Sequence, residues 1–180
     1  RTRRPAYVDF LPPCNDACPA GENIQAWLAL AQSGKYEAAW RELVSNNPMP
    51  SIHGRVCYHP CEDVCNRAFT DSPVSIHAVE RFLGDMALEQ DWQFEKPSKT
   101  TGKKILIVGA GPSGLSAGYQ LVRVGHQVEI REAGPMAGGM IHFGIPAYRM
   151  PRDELQAEIK RIENVGVKIS LNSRVDDVLA

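Results

Sequence analysis

Residues 104–132 leave this chain the fewest choices: Lys104-Ile-Leu-Ile-Val108, then Gly109-Ala110-Gly111-Pro112-Ser113-Gly114, then a segment of helical period. A short aliphatic run bounded by glycine reads as a buried strand. Ser113 to Val124 reads as a helix and Gln127 to Glu132 as a second strand. Together they make a βαβ unit, with parallel strands and a right-handed crossover. Gly109 permits a tight turn, Gly111 lets backbone approach a pyrophosphate, and Gly114 lets the helix lie against the strand. The helix N-terminus adds free N–H groups and the positive end of its dipole. Glu132 closes the second strand, where a carboxylate accepts hydrogen bonds from both hydroxyls of an adenosine ribose; an unphosphorylated 2′-OH is implied. The plainer reading, a glycine-rich turn with a solvated acid, leaves the register of strand, glycines, helix and acid unexplained.

The turn alone does not separate NAD from FAD. The loop that follows, Ala133-Gly-Pro-Met-Ala-Gly138-Gly139-Met140, is long and rich in glycine, where a simple dehydrogenase runs straight into its next helix. Such a loop gives a flat ring room against backbone, which favours FAD. A helix over Asp153 to Val165, through Leu155, Ile159 and Ile162, and a strand over Val167 to Leu171 are expected next.

All five cysteines precede residue 66, as Cys14 and Cys18, then Cys57, Cys61 and Cys65. An odd, small number argues against a disulfide-dense secreted scaffold and for a reducing compartment, the cytoplasm. Thiolates from two remote segments point to a metal centre. Iron–sulfur ligands are threaded through loops, sometimes with proline after a cysteine as at Cys18-Pro19, whereas structural zinc prefers paired knuckles. The spacing favours iron–sulfur over zinc, with inert or paired thiols as the remaining alternative. Pro60 interrupts any helical stripe through Cys57, Cys61 and Cys65, which weakens a reading as core cysteines. His59 and His77 lie near these segments, as ligands or, more in keeping with the pattern, as surrounding or surface groups; His53, His126 and His142 show no partner in the sequence. No Ser/His/Asp or paired-carboxylate constellation stands out, and no general acid or base is assigned.

Before the glycine turn the chain reads as helical. Residues 22–48 form a helical hairpin turning at Gly34: Ile24, Trp27, Leu28 and Ala31 make one stripe, Tyr36, Ala39, Trp40, Leu43 and Val44 the other. Pro48 and Pro50 close the second helix, and a third runs from Ser75 to Glu89 with Ile76, Val79, Leu83 and Met86 inward. The cysteine segments, broken by Pro12, Pro13, Pro19 and Pro60, are expected as loops. The predicted organisation is α + α/β: a helical metal-binding domain over 1–93, a linker over 94–104, and the first part of a Rossmann-like domain over 105–180.

With 20 Lys+Arg against 21 Asp+Glu in 180 residues, the chain has no field to attract nucleic acid or an anionic membrane. Its longest aliphatic run, Ile105 to Val108, is far below the ~20 residues of a membrane span, and Arg1-Thr-Arg-Arg-Pro5 leads into no apolar signal region. The chain starts without Met and stops at Ala180 with no terminal element, as a piece of a longer protein would.

These motifs resemble a family. Cys14-Asn-Asp-Ala-Cys18-Pro-Ala-Gly, Asn47-Pro48, Gly54-Arg-Val-Cys57, Pro60-Cys61-Glu-x-x-Cys65-Asn-Arg67, the 109–114 turn and Gly138-Gly139-Met140-x-x-x-Gly144-Ile145-Pro146-x-Tyr-Arg-x-Pro151 are similar to the glutamate synthase small (beta) subunit and its relatives. Those relatives include the N-terminal part of dihydropyrimidine dehydrogenase, the large flavoprotein of NADH-dependent ferredoxin:NADP oxidoreductase, and sulfite reductase-associated flavoproteins. The resemblance implies a helical domain with [4Fe-4S] clusters before an FAD domain, into which an NAD(P)H-binding domain is inserted beyond residue 180.

By this resemblance Cys18, Cys57 and Cys61 are ligands of the cluster nearer the flavin, and Glu80 stands where relatives carry a Gln or Glu fourth ligand. Cys14 and Cys65 match two ligands of a second cluster, whose other ligands come in many relatives from an upstream C-x2-C pair; Arg1 to Pro13 holds no cysteine. A single cluster drawing on four of the five cysteines is the plainer alternative. Gly139, Met140 and Gly144-Ile145-Pro146 are expected along the isoalloxazine. The function implied is an NAD(P)H-dependent oxidoreductase that relays electrons from FAD through the cluster to a partner redox subunit or electron carrier. Its rivals are a docking module without catalysis of its own and a zinc-stabilised NAD-binding protein.

Overall fold

The structure, a computed structural model, describes residues 11–177; the predicted domain ends at 1 and 180, the Arg1-to-Pro5 stretch and most of the segment upstream of Cys14 lie outside them. The first half is helical: α1 (Pro13–Ala17), α2 (Ile24–Gln32), α3 (Tyr36–Leu43), α4 (Pro50–Val56), α5 (Pro60–Asp63), a 3-10 turn (Asn66–Phe69) and α6 (Ile76–Glu89). Asn23 caps α2 by accepting the Ala26 N–H. Trp27, Trp40, Leu43, Met49, Ile52 and Leu83 are fully buried between these helices, each contributing about 1.5–3 kcal/mol by burial.

Three expectations are corrected here. The cysteine segments are not plain loops: α1, α4 and α5 each begin on a proline, at Pro13, Pro50 and Pro60. At the first helical position proline's missing N–H costs no hydrogen bond and its φ is already helical, so the same residues that end one helix start the next. In α6 the fully buried stripe is Ile76, Glu80, Leu83, Gly84 and Ala87; Ile76 and Leu83 are inward as expected, while Val79 and Met86 flank the stripe half-buried. Neither Glu nor Gly registers as apolar, so the true face is hidden from a hydrophobic count. Tyr36, expected inside, is 39% exposed and meets the Phe82 ring edge-on at 5.4 Å.

Gly84 is on that face because α4 crosses α6 at backbone contact. A Cβ on Gly84 would overlap the Ser51 backbone nitrogen, and one on Gly54 would come within 2.5 Å of the Arg81 nitrogen. The crossing is reinforced by Asp85, which accepts from Ser51 Oγ at 2.6 Å and from both terminal nitrogens of Arg55 at 2.6 and 2.9 Å.

The second half holds β1 (Lys104–Val108), α7 (Pro112–Arg123), β2 (Gln127–Arg131), α8 (Met140–Phe143), α9 (Arg152–Val165) and β3 (Val167–Ser170). The strands form a parallel sheet in the order β1-β2-β3, with Ile105 opposite Val128 and Val128 opposite Val167. Val128, Ile130 and Val167 are buried on one face, with α7 and α9 packed on the sheet. The other face carries Leu106 and Val108, 45% and 56% exposed, beside a Lys168–Glu129–Arg131 charge group.

The halves are joined by directed polar contacts. Tyr119 donates to the Val44 carbonyl at 2.8 Å, Gln120 to that of Ser45 at 3.1 Å, and Glu158 accepts the Ser51 N–H at 3.0 Å. Glu158 pairs at 3.0 Å with Arg161, whose guanidinium lies over the Trp40 ring. Burial pushes the Glu158 carboxyl up to about 7, against the opposing pull of Arg161 and the Ser51 N–H. Among the described residues no helix is long and apolar enough to cross a membrane. Gly84→Ala is expected to force α4 from α6 and cost about 1–3 kcal/mol, read as an earlier midpoint in chemical denaturation; an unchanged midpoint contradicts the packing described.

Candidate functional site

The α4–α6 crossing delivers two groups to one place. α4 ends at Cys57, and α6 presents Glu80 one turn after its start. Cys18, following α1, and Cys61, on α5, complete the set, so Cys18, Cys57, Cys61 and Glu80 line one cavity of about 180 Å³. Backbone N–H groups already face the sulfurs: those of Ala20 and Glu22 reach Cys18, and that of His59 reaches Cys57 at 3.4 Å. His59 has a left-handed φ of 57° immediately before Pro60, a strained conformation that aims its N–H at the sulfur. Burial raises the Cys18 thiol, and burial with the neighbouring Glu62 charge pushes Cys61 up to about 12.

The sequence reading missed what lies behind Glu80. Glu22, Asn47 and Glu80 are 6%, 2% and 7% exposed, and the Asn47 Nδ2 donates to Glu22 Oε1 at 3.0 Å and Glu80 Oε1 at 2.7 Å. Trp27 donates its ring N–H to the other Glu22 oxygen at 3.2 Å. Asn47 Oδ1 accepts the Met49 N–H at 3.1 Å and lies 2.7 Å from His53 Nδ1, the partner His53 lacked in the sequence. Burial raises both carboxyls, Glu80 well above its ordinary value with the Glu22 charge adding to the effect. Among the described residues neither meets a lysine or arginine. A usable signal was Glu22 itself, a charge directly before the Ile24–Trp27 stripe.

This donor set fits an iron–sulfur centre: three thiols and a carboxyl lining one cavity, N–H donors on the sulfurs, and buried acids with no lysine or arginine beside them among the described residues. Among the described residues no three of these ligand atoms lie within 4.8 Å of one another, whereas a zinc tetrahedron with ~2.3 Å bonds brings its sulfurs to ~3.8 Å. Cys14 and Cys65 do not line the cavity. Cys14 faces Asn15 Oδ1 at 3.7 Å and Cys65 accepts the Val74 N–H at 3.5 Å. His59, Glu62 and His77 do bring ligand atoms within 4.8 Å. Yet the two rings stack at 4.0 Å, so their in-plane lone pairs run side by side, and Glu62 is engaged by the His77 ring at 2.7 Å and its N–H at 2.9 Å. The trio braces the Cys57–Cys61 segment.

At the nucleotide turn Gly109 has φ 98°, and open space surrounds the Cβ positions of Gly109 and Gly111, leaving the N-terminus of α7 approachable. A Cβ on Gly114 would strike the Gly109 carbonyl, the close helix–strand contact this motif requires. Glu132 Oε2 accepts the Ala110 N–H and Oε1 the Gly134 N–H, both at 2.8 Å, and these bonds hold its carboxyl below the usual range. The acid thus ties β1's turn to the next loop and keeps lone pairs on both oxygens for a ligand. Gly138 donates to the Ala110 carbonyl at 2.8 Å, and a Cβ on Gly139 would come within 2.8 Å of Gly111 Cα. Pro112 and Ser113 open α7, Ala133 carries the chain from Glu132 toward that loop, and Met140, 71% exposed, starts α8. Gly144-Ile145-Pro146 follows α8, with the Ile145 carbonyl held by Arg152 at 2.6 Å.

Residues 10–92 match the family described as dihydropyrimidine dehydrogenase domain II, 4Fe-4S cluster, and residues 107–147 that of NAD(P)-binding Rossmann-like domains. The chain is a helical 4Fe-4S domain followed by the start of a Rossmann-like dinucleotide fold. Its relatives are oxidoreductase subunits. It is 40% identical to the beta subunit of NADP(+)-dependent formate dehydrogenase from Moorella thermoacetica, over 91% of this chain and 26% of that protein. It is 37% identical to the NADPH-Fe(3+) oxidoreductase beta subunit of Geobacter sulfurreducens (96% and 27%) and 36% identical to the glutamate synthase [NADPH] small chain of Bacillus subtilis (88% and 32%). The resemblance carried by the cysteine and glycine motifs is borne out by homologues of that name, and the chain spans about a quarter to a third of their length.

Since Glu132 titrates below its ordinary 4.5 in the folded chain, its stabilising effect is full above that value and lost as pH falls through the depressed one. Glu132→Gln is expected to show a shallower fall in denaturation midpoint on acidification below pH 4.5; an acid profile identical to that of the unsubstituted protein contradicts the two backbone bonds.

Proposed function

We propose that this chain is the cluster-bearing and first FAD-binding portion of an NAD(P)H-dependent iron–sulfur flavoprotein that passes electrons to a partner redox protein. The observation that carries the reading is the convergence of Cys18, Cys57, Cys61 and Glu80 on one cavity, in a chain that also builds an open dinucleotide turn. In this reading those four residues hold a [4Fe-4S] cluster, in a domain over 1–93 joined by a 94–104 linker to the nucleotide domain over 105–180. Gly109, Gly111, Gly114 and Glu132 hold the adenosine diphosphate half of FAD, while Gly139, Met140 and Gly144-Ile145-Pro146 border its ring. The family description at this turn names NAD(P); FAD is preferred because the 133–139 loop leaves a glycine-lined margin beyond the phosphate turn. Bound together, FAD supplies the conversion of a hydride into single electrons and the cluster supplies single-electron transfer. A reducing cytoplasm suits five free thiols.

The test is anaerobic purification of the whole protein with its partner subunit, followed by iron, sulfide and flavin analysis. Cys57→Ser is expected to lose most of its iron while keeping flavin, and Glu132→Ala the reverse. Equal loss of both cofactors in both variants, or zinc without sulfide in the parent, defeats the reading. Iron and FAD present, with a flavin that neither NADH nor NADPH bleaches, shift it to a docking module.

A further inference from the structure

Asn47 is the most connected buried side chain near the cavity, and all of its hydrogen-bonding capacity is spent there. Its amide has two donors and a carbonyl with two acceptor sites. Both donors go to carboxylates, Glu80 at 2.7 Å and Glu22 at 3.0 Å. The oxygen accepts the Met49 N–H at 3.1 Å and faces His53 Nδ1 at 2.7 Å. The backbone donor settles which way the amide points, since Met49 N–H can bond only to oxygen. It also settles His53, which must carry its proton on Nδ1, and burial keeps that ring neutral by lowering its pKa.

Glu80 depends on this one contact. Its only hydrogen bond among the described residues is the one from Asn47, although it is 7% exposed, lies beside another buried carboxylate and meets no basic side chain. Glu22, by contrast, is also held by the Trp27 ring N–H. The amide clamps the two carboxyls side by side through one oxygen of each and leaves the second Glu80 oxygen without a hydrogen bond among the described residues.

We infer that Asn47 is a positioning residue for the cluster: it fixes the direction from which Glu80 meets the iron and, by donating to that carboxylate, limits how much electron density the ligand gives. The inference rests on the reading of Glu80 as a ligand. A donor on a metal-bound carboxylate weakens it as an electron donor, and hydrogen bonds to ligands are among the levers that set a cluster's potential. Removing the donor therefore lowers the potential.

The test compares the full-length holoprotein with Glu80→Ala, Asn47→Leu, Asn47→Asp and the Asn47→Leu/Glu80→Ala double variant, by iron content, low-temperature EPR and EPR-monitored redox titration. Asn47→Leu removes the donor at similar size. Asn47→Asp keeps the acceptor for Met49 and His53 but turns an acceptor toward both carboxylates. Both are expected to retain iron, change the EPR signature and shift the cluster midpoint downward, Asp further than Leu. In the Glu80→Ala background, Asn47→Leu is expected to add no further shift. If Glu80→Ala leaves signature and potential as they were, the ligand reading itself falls. If Glu80→Ala changes them but both Asn47 variants keep the wild-type potential, or the Asn47→Leu shift persists without Glu80, only the positioning role falls. Loss of iron in both Asn47 variants, with iron retained in Glu80→Ala, assigns Asn47 to the fold and also overturns it.

Discussion

Two helices that touch backbone to backbone determine where everything else in the helical half can be. With Gly54 and Gly84 at the crossing, α4 and α6 approach closer than any side chain allows. Only at that separation do the end of α4, at Cys57, and the buried face of α6, at Glu80, look onto the same space. A cluster ligand set drawn from remote segments has no local geometry to enforce it; the distance between its segments is the geometry. The Arg55–Asp85 pair at 2.6 Å and the Ser51–Asp85 hydrogen bond at 2.6 Å lock the angle of the same crossing.

The pocket so formed gathers acidic groups that burial pushes toward their neutral forms. Glu22 and Glu80 are buried side by side, bridged by one amide, with the Cys61 thiol pushed up by burial and by a neighbouring acid. Left alone, such a group of acids costs stability, because burial disfavours every charge it would carry. A bound cationic centre would favour the ionised forms that burial disfavours, so an arrangement that weakens the bare chain would suit a loaded one. The dinucleotide turn works the other way: open N–H groups at the start of α7 await an anion, and the one carboxylate nearby, Glu132, is satisfied by backbone.

How much of this could be read from the chain follows from which signals are local. β1, its glycine turn, α7 and β2 were legible because hydrophobic period and glycine spacing are determined within thirty or so residues. The hairpin of α2 and α3 was legible for the same reason. The short helices at the cysteines were not, since a proline that breaks one helix and a proline that opens another look alike until φ and the preceding carbonyl are known. The face of α6 was only partly legible, through Ile76 and Leu83, because Glu80 and Gly84 are buried for reasons on other helices, a cavity in one case and Ser51 in the other. Of the site, the cysteines were visible as residues, while their grouping, with Cys18, Cys57, Cys61 and Glu80 apart from Cys14 and Cys65, came from the family resemblance alone; spacing did not supply it, because which residues share a cavity belongs to packing. Asn47 carried no local signal of its role, because the two carboxylates it bridges lie 25 and 33 positions away; Glu22 offered only its charge beside an apolar stripe.

The hydrogen bond from Ser51 to Glu158 has a mechanical meaning. It fastens α9, which packs on the sheet below the dinucleotide turn, to the first turn of the helix that terminates at Cys57. Tyr119 on α7 holds the Val44 carbonyl in the same way. Neither half can tilt without dragging a wall of the other's pocket. The spacing between the cysteine cavity and the glycine turn is thus written into the packing of this polypeptide.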